Sequence, residues 1–277
     1  MIDHAYPVVV WLQQFDYQIL IYIMQGITFL GNETFFIIIF PTLLWCWKKE
    51  LGIPLTLSLF GAFLLNIILK EAFIIPRPPQ EFWRVPVDGY GFPSGHAQLS
   101  MVLWGYLAWR LKNYSWPALL IFFIGFSRIY LGVHSFLDVI GGWIIGFGFL
   151  FLAVKLIDHV ETMELNFLPI PTALFFPLIT GLISILYPHE GIIKISGFVG
   201  GIGAGIILEQ TYVGFKTESK LSRQALKALF GIGSVVLLRW CLKSILPESE
   251  IINWLRYAAV GTWISLGAPW FFLRIKF

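Results

Sequence analysis

The sequence predicts an all-α fold, a polytopic membrane helical bundle of about nine transmembrane helices preceded by an interfacial amino-terminal helix. Three observations lead there. Hydrophobic residues make up 57% of the 277-residue chain and charged residues 13%, with a mean hydropathy of +0.78. A soluble globule carries about a quarter charged residues. The apolar residues gather into runs close to the length needed to cross about 30 Å of hydrocarbon at about 1.5 Å per residue. Trp45, Trp47, Trp109, Trp116 and Trp254 fall near the ends of those runs, as an interfacial aromatic belt requires.

Taken in order, residues 7 to 30 mix Asp16 and four Gln with Trp11, Phe15, Ile19, Ile21 and Phe29, a pattern that suits a helix lying in the interface. Nine apolar runs follow, over residues 33–48, 51–70, 97–111, 117–133, 137–157, 171–187, 191–208, 226–246 and 252–273. The third is short, and its polar flanks alternate as a crossing requires. Three regions result: an interfacial segment over 1–32, a core carrying the candidate chemistry over 33–157, and further membrane helices of unassigned role over 158–277. Lys216-Thr217-Glu218-Ser219-Lys220 is the best seam before the last two runs. Gly197, Gly201 and Gly205 recur every four residues in the seventh run, a stripe that fits close packing within the bundle, with a contact between copies in a homo-oligomer as the alternative.

Composition also excludes. A net charge of +3, scattered along the chain, gives no footprint for nucleic acid. Met1 to Trp11 has no basic start, so no cleavable signal peptide is expected. Cys46 and Cys241 lie inside apolar runs and read as small packing residues, without a disulfide or metal role. With the amino terminus on side one, side two collects Lys48, Lys49, Arg110, Lys112, Lys155, Lys216, Lys220, Arg223, Lys227, Arg274 and Lys276. Side one keeps Arg84, Lys194, Lys243 and Arg256 outside the motifs. The positive-inside bias then makes side two cytoplasmic.

Ionisable groups in such a chain are functional suspects. His134 and Asp138, four apart at a helix start, share a face, so the carboxylate can orient one imidazole nitrogen and leave the other free. Ser127-Arg128 adds a hydroxyl and a planar cation suited to paired hydrogen bonds with phosphate. His96 follows Pro93-Ser94-Gly95 and opens the third run, where helix amides offer donors to an anion; a plain turn and N-cap is the bland alternative. Lys70 closes the second run and Arg77-Pro78 lies seven residues on, either as phosphate-binding cations or as a snorkelling lysine and a basic loop. Asn66, one turn before Lys70, either orients the ammonium or serves as helix-packing glue. The loop from Lys70 to His96, with Phe73, Phe82, Trp83, Tyr90 and Phe92, either dips into the interface or is merely anchored there. Alternation of the runs brings Lys70, Arg77, Ser94, His96, Arg128, His134 and Asp138 to one membrane face, outward or lumenal. Three cations already supply the charge that a magnesium ion supplies elsewhere, and no carboxylate cluster offers a metal site, so no metal or cofactor is expected.

These three stretches resemble the motifs of the type 2 phosphatidic acid phosphatase superfamily. Lys70, six residues and Arg77-Pro78 match the first motif. Pro93-Ser94-Gly95-His96 matches the second, and Ser127-Arg128, five residues, His134, three residues and Asp138 match the third. The resemblance covers residues 33 to 157 and implies an integral-membrane, metal-independent phosphatase acting on a lipid phosphate monoester or diphosphate at the extracytoplasmic face. It implies His134 as the nucleophile that becomes phosphohistidine, Asp138 as its partner and His96 as the acid and base. Lys70, Arg77, Ser94, the Gly95 amide and Arg128 would hold the phosphate oxygens, and the partners would be a membrane lipid and the bilayer. A diffuse similarity to glucose-6-phosphatase makes a sugar phosphate the alternative substrate. A lipid transporter or scaffold with a vestigial site is the alternative from another class, although a silenced site should have lost His134, His96 or Arg128.

Overall fold

A computed structural model describes residues 6–47, 49–162 and 171–275, and among these every regular element is helical. Hydrocarbon leaves no other open solution, because each backbone donor must be met within its own segment. In chain order the helices are α1 (Pro7–Leu12), α2 (Gln18–Phe29), α3 (Glu33–Cys46), α4 (Lys49–Phe73), α5 (Gly95–Leu111), α6 (Ser115–Tyr130), α7 (Phe136–Thr162), α8 (Thr172–Leu186), α9 (Glu190–Tyr212), α10 (Leu221–Ile245), α11 (Glu250–Thr262) and α12 (Ala268–Arg274). Four segments are long and apolar enough to cross a membrane: Leu51–Phe73, Phe136–His159, Glu190–Tyr212 and Leu221–Ile245. Gln18–Phe29 with Thr34–Cys46 makes a fifth if that pair is one broken span. The chain is an integral membrane protein. Lys48 and Lys276, two of the expected side-two cations, lie outside the described residues.

The last expected run, 252–273, is interrupted: a five-residue π-helix over Trp263–Gly267 joins α11 to α12. The segment expected to lie in the interface forms α1, a 3-10 turn and α2. Its Val9, Leu12 and Ile21 share a buried cluster with Ile129, Leu131, Val133 and Val139.

Contacts divide the chain into two compact units, residues 1–36 with 61–162, and residues 37–60 with 163–277. In the first, α5 is the buried centre, which explains how a helix of only 17 residues tolerates Gln98 and Ser100, both fully buried. Helix α7 lies directly on its backbone through two glycines one turn apart. A Cβ on Gly142 would stand 2.7 Å from the Ser94 carbonyl oxygen, and one on Gly146 would stand 2.6 Å from that of Gln98.

In the second unit the glycine stripe of α9 meets α11, Gly197 and Gly201 facing the backbone of Trp254 and Ala258. Trp45, expected in an interfacial belt, is instead fully buried there, with its indole N–H donating to the Ile264 carbonyl at 2.8 Å. It packs over Gly231, whose missing side chain leaves room for the ring. Lys49 donates to both oxygens of the buried Glu209 at 2.8 Å, and that carboxylate also accepts the Phe215 amide at 2.6 Å.

Candidate active site

All of the residues singled out for chemistry lie in the first unit. Lys70 sits in the last turn of α4, and its ammonium donates to the Tyr90 carbonyl. The helix stops at Ile74, whose φ of 53° lies in the left-handed region and whose amide donates to the Lys70 carbonyl at 3.0 Å. This is the αL stop that glycine usually fills, and a β-branched residue is strained there. The chain then delivers Arg77. Its Nε donates to the carbonyls of Asp88 and Gly89 at 3.2 and 3.0 Å, and its Nη2 to that of Asp88 at 2.8 Å. Its Nη1 reaches the Val133 carbonyl at 3.1 Å and Nε2 of His134 at 3.0 Å.

The second motif is held from below and from the side. The Ser94 amide donates to the Asp138 carbonyl at 3.0 Å, joining the loop to α7. Asn66 donates to the Pro93 carbonyl at 3.2 Å and to the Gln98 side chain at 2.8 Å, and Gln98 donates in turn to the Ala62 carbonyl at 2.9 Å. Of the two readings of Asn66, the observed bonds fit the packing one: they tie α4 to the loop and to α5, not to Lys70. A Cβ at Gly95 would lie 3.1 Å from the Asn66 side-chain oxygen, a tight contact that Asn66 would have to relieve by a few tenths of an ångström. The Ser94 hydroxyl is fully buried and has no hydrogen-bond partner.

In the third motif, Arg128 closes α6 with 4% of its surface exposed and donates from Nη1 to the Thr28 hydroxyl at 2.9 Å; its Nε has no partner. The Ser127 hydroxyl donates to the Ile124 carbonyl at 2.6 Å, so it is engaged by its own helix. Gly132, at φ 73°, turns the chain toward His134, and a Cβ there would strike the Phe82 carbonyl.

His134 is buried. Because an arginine only donates, the 3.0 Å contact from Arg77 makes Nε2 of His134 an acceptor, and the neutral ring then carries its proton on Nδ1. Burial first, then the charges of Arg128, Arg77 and Lys70, hold the His134 pKa well below the usual histidine value, against a smaller opposite effect of the Gly91 backbone. Nδ1 faces Oδ2 of Asp138 at 3.6 Å, beyond hydrogen-bond length. That oxygen accepts the Ser135 amide at 2.7 Å while the Ser135 hydroxyl accepts the Asp138 amide at 3.1 Å, a reciprocal cap on α7. The expected histidine–aspartate pair is therefore a near neighbour, with the carboxylate drawn to the helix start.

The structure thus gathers Lys70, Arg77, Ser94, Arg128, His134 and Asp138 around one buried point, with His96 in the first turn of α5, where burial first, then the charges of Arg128, His134, Arg77 and Lys70, hold its pKa well below the usual histidine value. Sequence reasoning missed Thr28, whose partner is 100 residues away, and the engagement of Asn66 with Gln98, which no local pattern signals.

Comparison with known proteins adds a second line. Residues 51–160 match the PAP2 superfamily model, and residues 193–277 match the model described as PAP2 superfamily phosphatase, transmembrane extension. The chain is 25% identical to lipid phosphate phosphatase delta of Arabidopsis thaliana over 86% of its own length and 66% of that protein. It is 29% identical to a probable sphingosine-1-phosphate phosphatase of Dictyostelium discoideum, over 68% of this chain and 50% of that one. The chain therefore spans less than two thirds of the length of these two relatives. Against phosphatidylglycerophosphatase B of Bacillus subtilis the identity is 33%, over 50% of this chain and 74% of the other. With the three motifs drawn to one buried point and this similarity across most of a bacterial relative, the chain belongs to the PAP2 superfamily.

Proposed function

We propose that this protein is a phosphatase that hydrolyses a lipid phosphate monoester or diphosphate through a phosphohistidine at the extracytoplasmic face. The observation that carries the reading is Nε2 of a buried, neutral His134, whose lone pair faces the Arg77 guanidinium that must turn to the phosphate before attack, set among three cations beside hydrogen-bonding atoms still without partners, Ser94 Oγ and Arg128 Nε. Buried donors of this kind stabilise an anion strongly, because no solvent has to reorganise around it.

In the reaction, Nε2 attacks phosphorus as the bond to the lipid oxygen breaks, and His96 gives that oxygen a proton. Water, losing a proton to His96, then displaces the phosphate from Nε2 and regenerates the ring. Asp138 balances the charge that develops on the His134 ring while Nε2 is bonded to phosphorus. Lys70, Arg77, Arg128, the Ser94 hydroxyl and the Gly95 amide hold the three non-bridging oxygens, so charge neutralisation comes from side chains.

A lipid substrate is supported by an apolar groove of about 530 Å³ lined by Met101, Gly105, Trp143 and Phe147 among others, on the same helices that carry the second and third motifs. Its upper residue, Met101, stands five residues beyond His96, about 7.5 Å along the helix. The named activities of the relatives agree with the same class. The excess of basic residues on side two supports nine crossings, an interfacial amino terminus and a site on the opposite, extracytoplasmic face. In this reading residues 33–157 hold the catalytic core, and 158–277 are further membrane helices.

Phosphate release by the purified protein, measured over sphingosine 1-phosphate, phosphatidic acid, phosphatidylglycerophosphate, a polyprenyl diphosphate and glucose 6-phosphate, tests this. Turnover on at least one lipid, lost by about 10³-fold or more in His134→Ala, is the expected outcome. Undiminished turnover in that variant overturns the nucleophile assignment, and preference for glucose 6-phosphate overturns the lipid.

A further inference from the structure

We propose that the carboxyl end of α2 forms a fourth wall of the phosphate pocket, and that Thr28 is a positioning residue that aims Arg128 at the phosphoryl group. The inference rests on the phosphatase reading above and extends it to a segment outside the 51–160 match and outside all three motifs.

Thr28 is 8% exposed and Arg128 4%, and their 2.9 Å bond joins a hydroxyl to Nη1 of the guanidinium. One turn further on, Gly31 stands against the other motif: a Cβ there would lie 3.6 Å from Cδ2 of His96 and 2.8 Å from the Ile124 side chain. The end of α2 therefore touches the cation of the third motif, and the turn that follows it passes beside the histidine of the second.

The choice of a hydroxyl has a physical meaning. A carboxylate in the position of Thr28 would neutralise the guanidinium in a buried site, whereas a neutral acceptor fixes its plane and leaves its charge for the substrate. Nε of Arg128 stays without a partner and is available to a phosphate oxygen.

The register of α2 is itself pinned. Asp16 pairs with Arg84 at 2.7 Å, Gln13 donates to the Phe82 carbonyl at 2.6 Å, and the Tyr130 hydroxyl donates to the Phe15 carbonyl at 2.7 Å. These three ties hold the amino-terminal segment on the loop that carries Arg77 and on the helix that carries Arg128.

The test uses the full chain with Thr28→Val, which keeps the shape and removes the acceptor, and Thr28→Ser, which restores it. Each is assayed for kcat and KM on the best lipid and for inhibition by orthovanadate, with thermal unfolding followed in parallel. Thr28→Val is expected to lower kcat about tenfold and to raise the vanadate inhibition constant about tenfold, with KM changed less than about twofold. Thr28→Ser should recover both within about threefold. Wild-type kcat and vanadate inhibition in Thr28→Val overturn the proposal, as does a loss that Thr28→Ser fails to recover. If the wild-type protein releases phosphate and His134→Ala does not, either failure falls on Thr28 alone. If the wild type releases none from the lipid panel, the phosphatase reading fails and this proposal falls with it.

Discussion

Oδ2 of Asp138 lies 2.7 Å from the amide of Ser135 and 3.6 Å from Nδ1 of His134, so one carboxylate oxygen caps α7 and faces the candidate nucleophile at once. The two duties are separable by substitution. In Asp138→Asn the amide oxygen can still accept the Ser135 N–H, while the negative charge that would balance a phosphorylated imidazole is gone. Thermal unfolding should stay within about 2 °C of wild type, and kcat should fall by about 10²-fold or more. Asp138→Ala loses the cap as well and should cost about 1 kcal/mol of stability.

The pH profile follows from His134. Its pKa is held below the ordinary histidine value of about 6.5 by burial and by three cations, so the neutral, attacking form persists as pH falls. The acid limb of kcat/KM should therefore lie below about pH 6.5, and because burial and the same cations also hold the His96 pKa well below its usual value, the alkaline limb, which reports loss of its proton, should fall at acidic pH too. Arg77→Gln removes one of the cations and should move the acid limb upward. A limb that stays in place, measured on the same lipid, would show that Arg77 has no electrostatic hold on the ring.

Asn66 is the next case. In Asn66→Leu the Pro93 carbonyl and the Gln98 side-chain oxygen lose their buried donor, which should lower stability by about 1 to 3 kcal/mol. Activity should fall as well, because the Pro93 carbonyl fixes the entry to the Ser94–His96 loop. The double variant Asn66→Leu with Gln98→Leu removes both partners of the side-chain pair and should recover part of the stability in thermal unfolding.

Gly132 and Gly89 form a matched pair. Both have positive φ, 73° and 71°, but a Cβ at Gly132 would strike the Phe82 carbonyl, while nothing lies within 4 Å of one at Gly89. Gly89→Ala should lose only the conformational term, about 1 kcal/mol. Gly132→Ala should lose clearly more and should also lower kcat, since it sits two residues before His134. Equal losses in thermal unfolding would show that the backbone of Phe82 yields.

The three motifs were legible because each joins residue types that hydrocarbon disfavours at short, fixed spacings, and the helix starts at Gly95 and Phe136 fall where the expected runs 97–111 and 137–157 begin. What depends on distant partners was not legible. Trp45 has the same local setting as a belt tryptophan, and distant partners, the Ile264 carbonyl 219 residues away and the space over Gly231, make it a core residue. The Ser127 hydroxyl looks available in sequence and is taken by the Ile124 carbonyl. Thr28 sits in a stretch whose mixture of glutamines and aromatics reads as interfacial, and its role appears only when Arg128 is opposite.

Two hydrogens on α7 have a long reach. At Gly142 and Gly146 any larger side chain would lever that helix off the carbonyls of Ser94 and Gln98, and α5 begins with His96 while α7 begins with Asp138. Parting the two rods by even the width of a methyl group would carry His96 away from Asp138. The spacing of His96 and Asp138 is thus governed by how thin two residues are further along the same pair of helices.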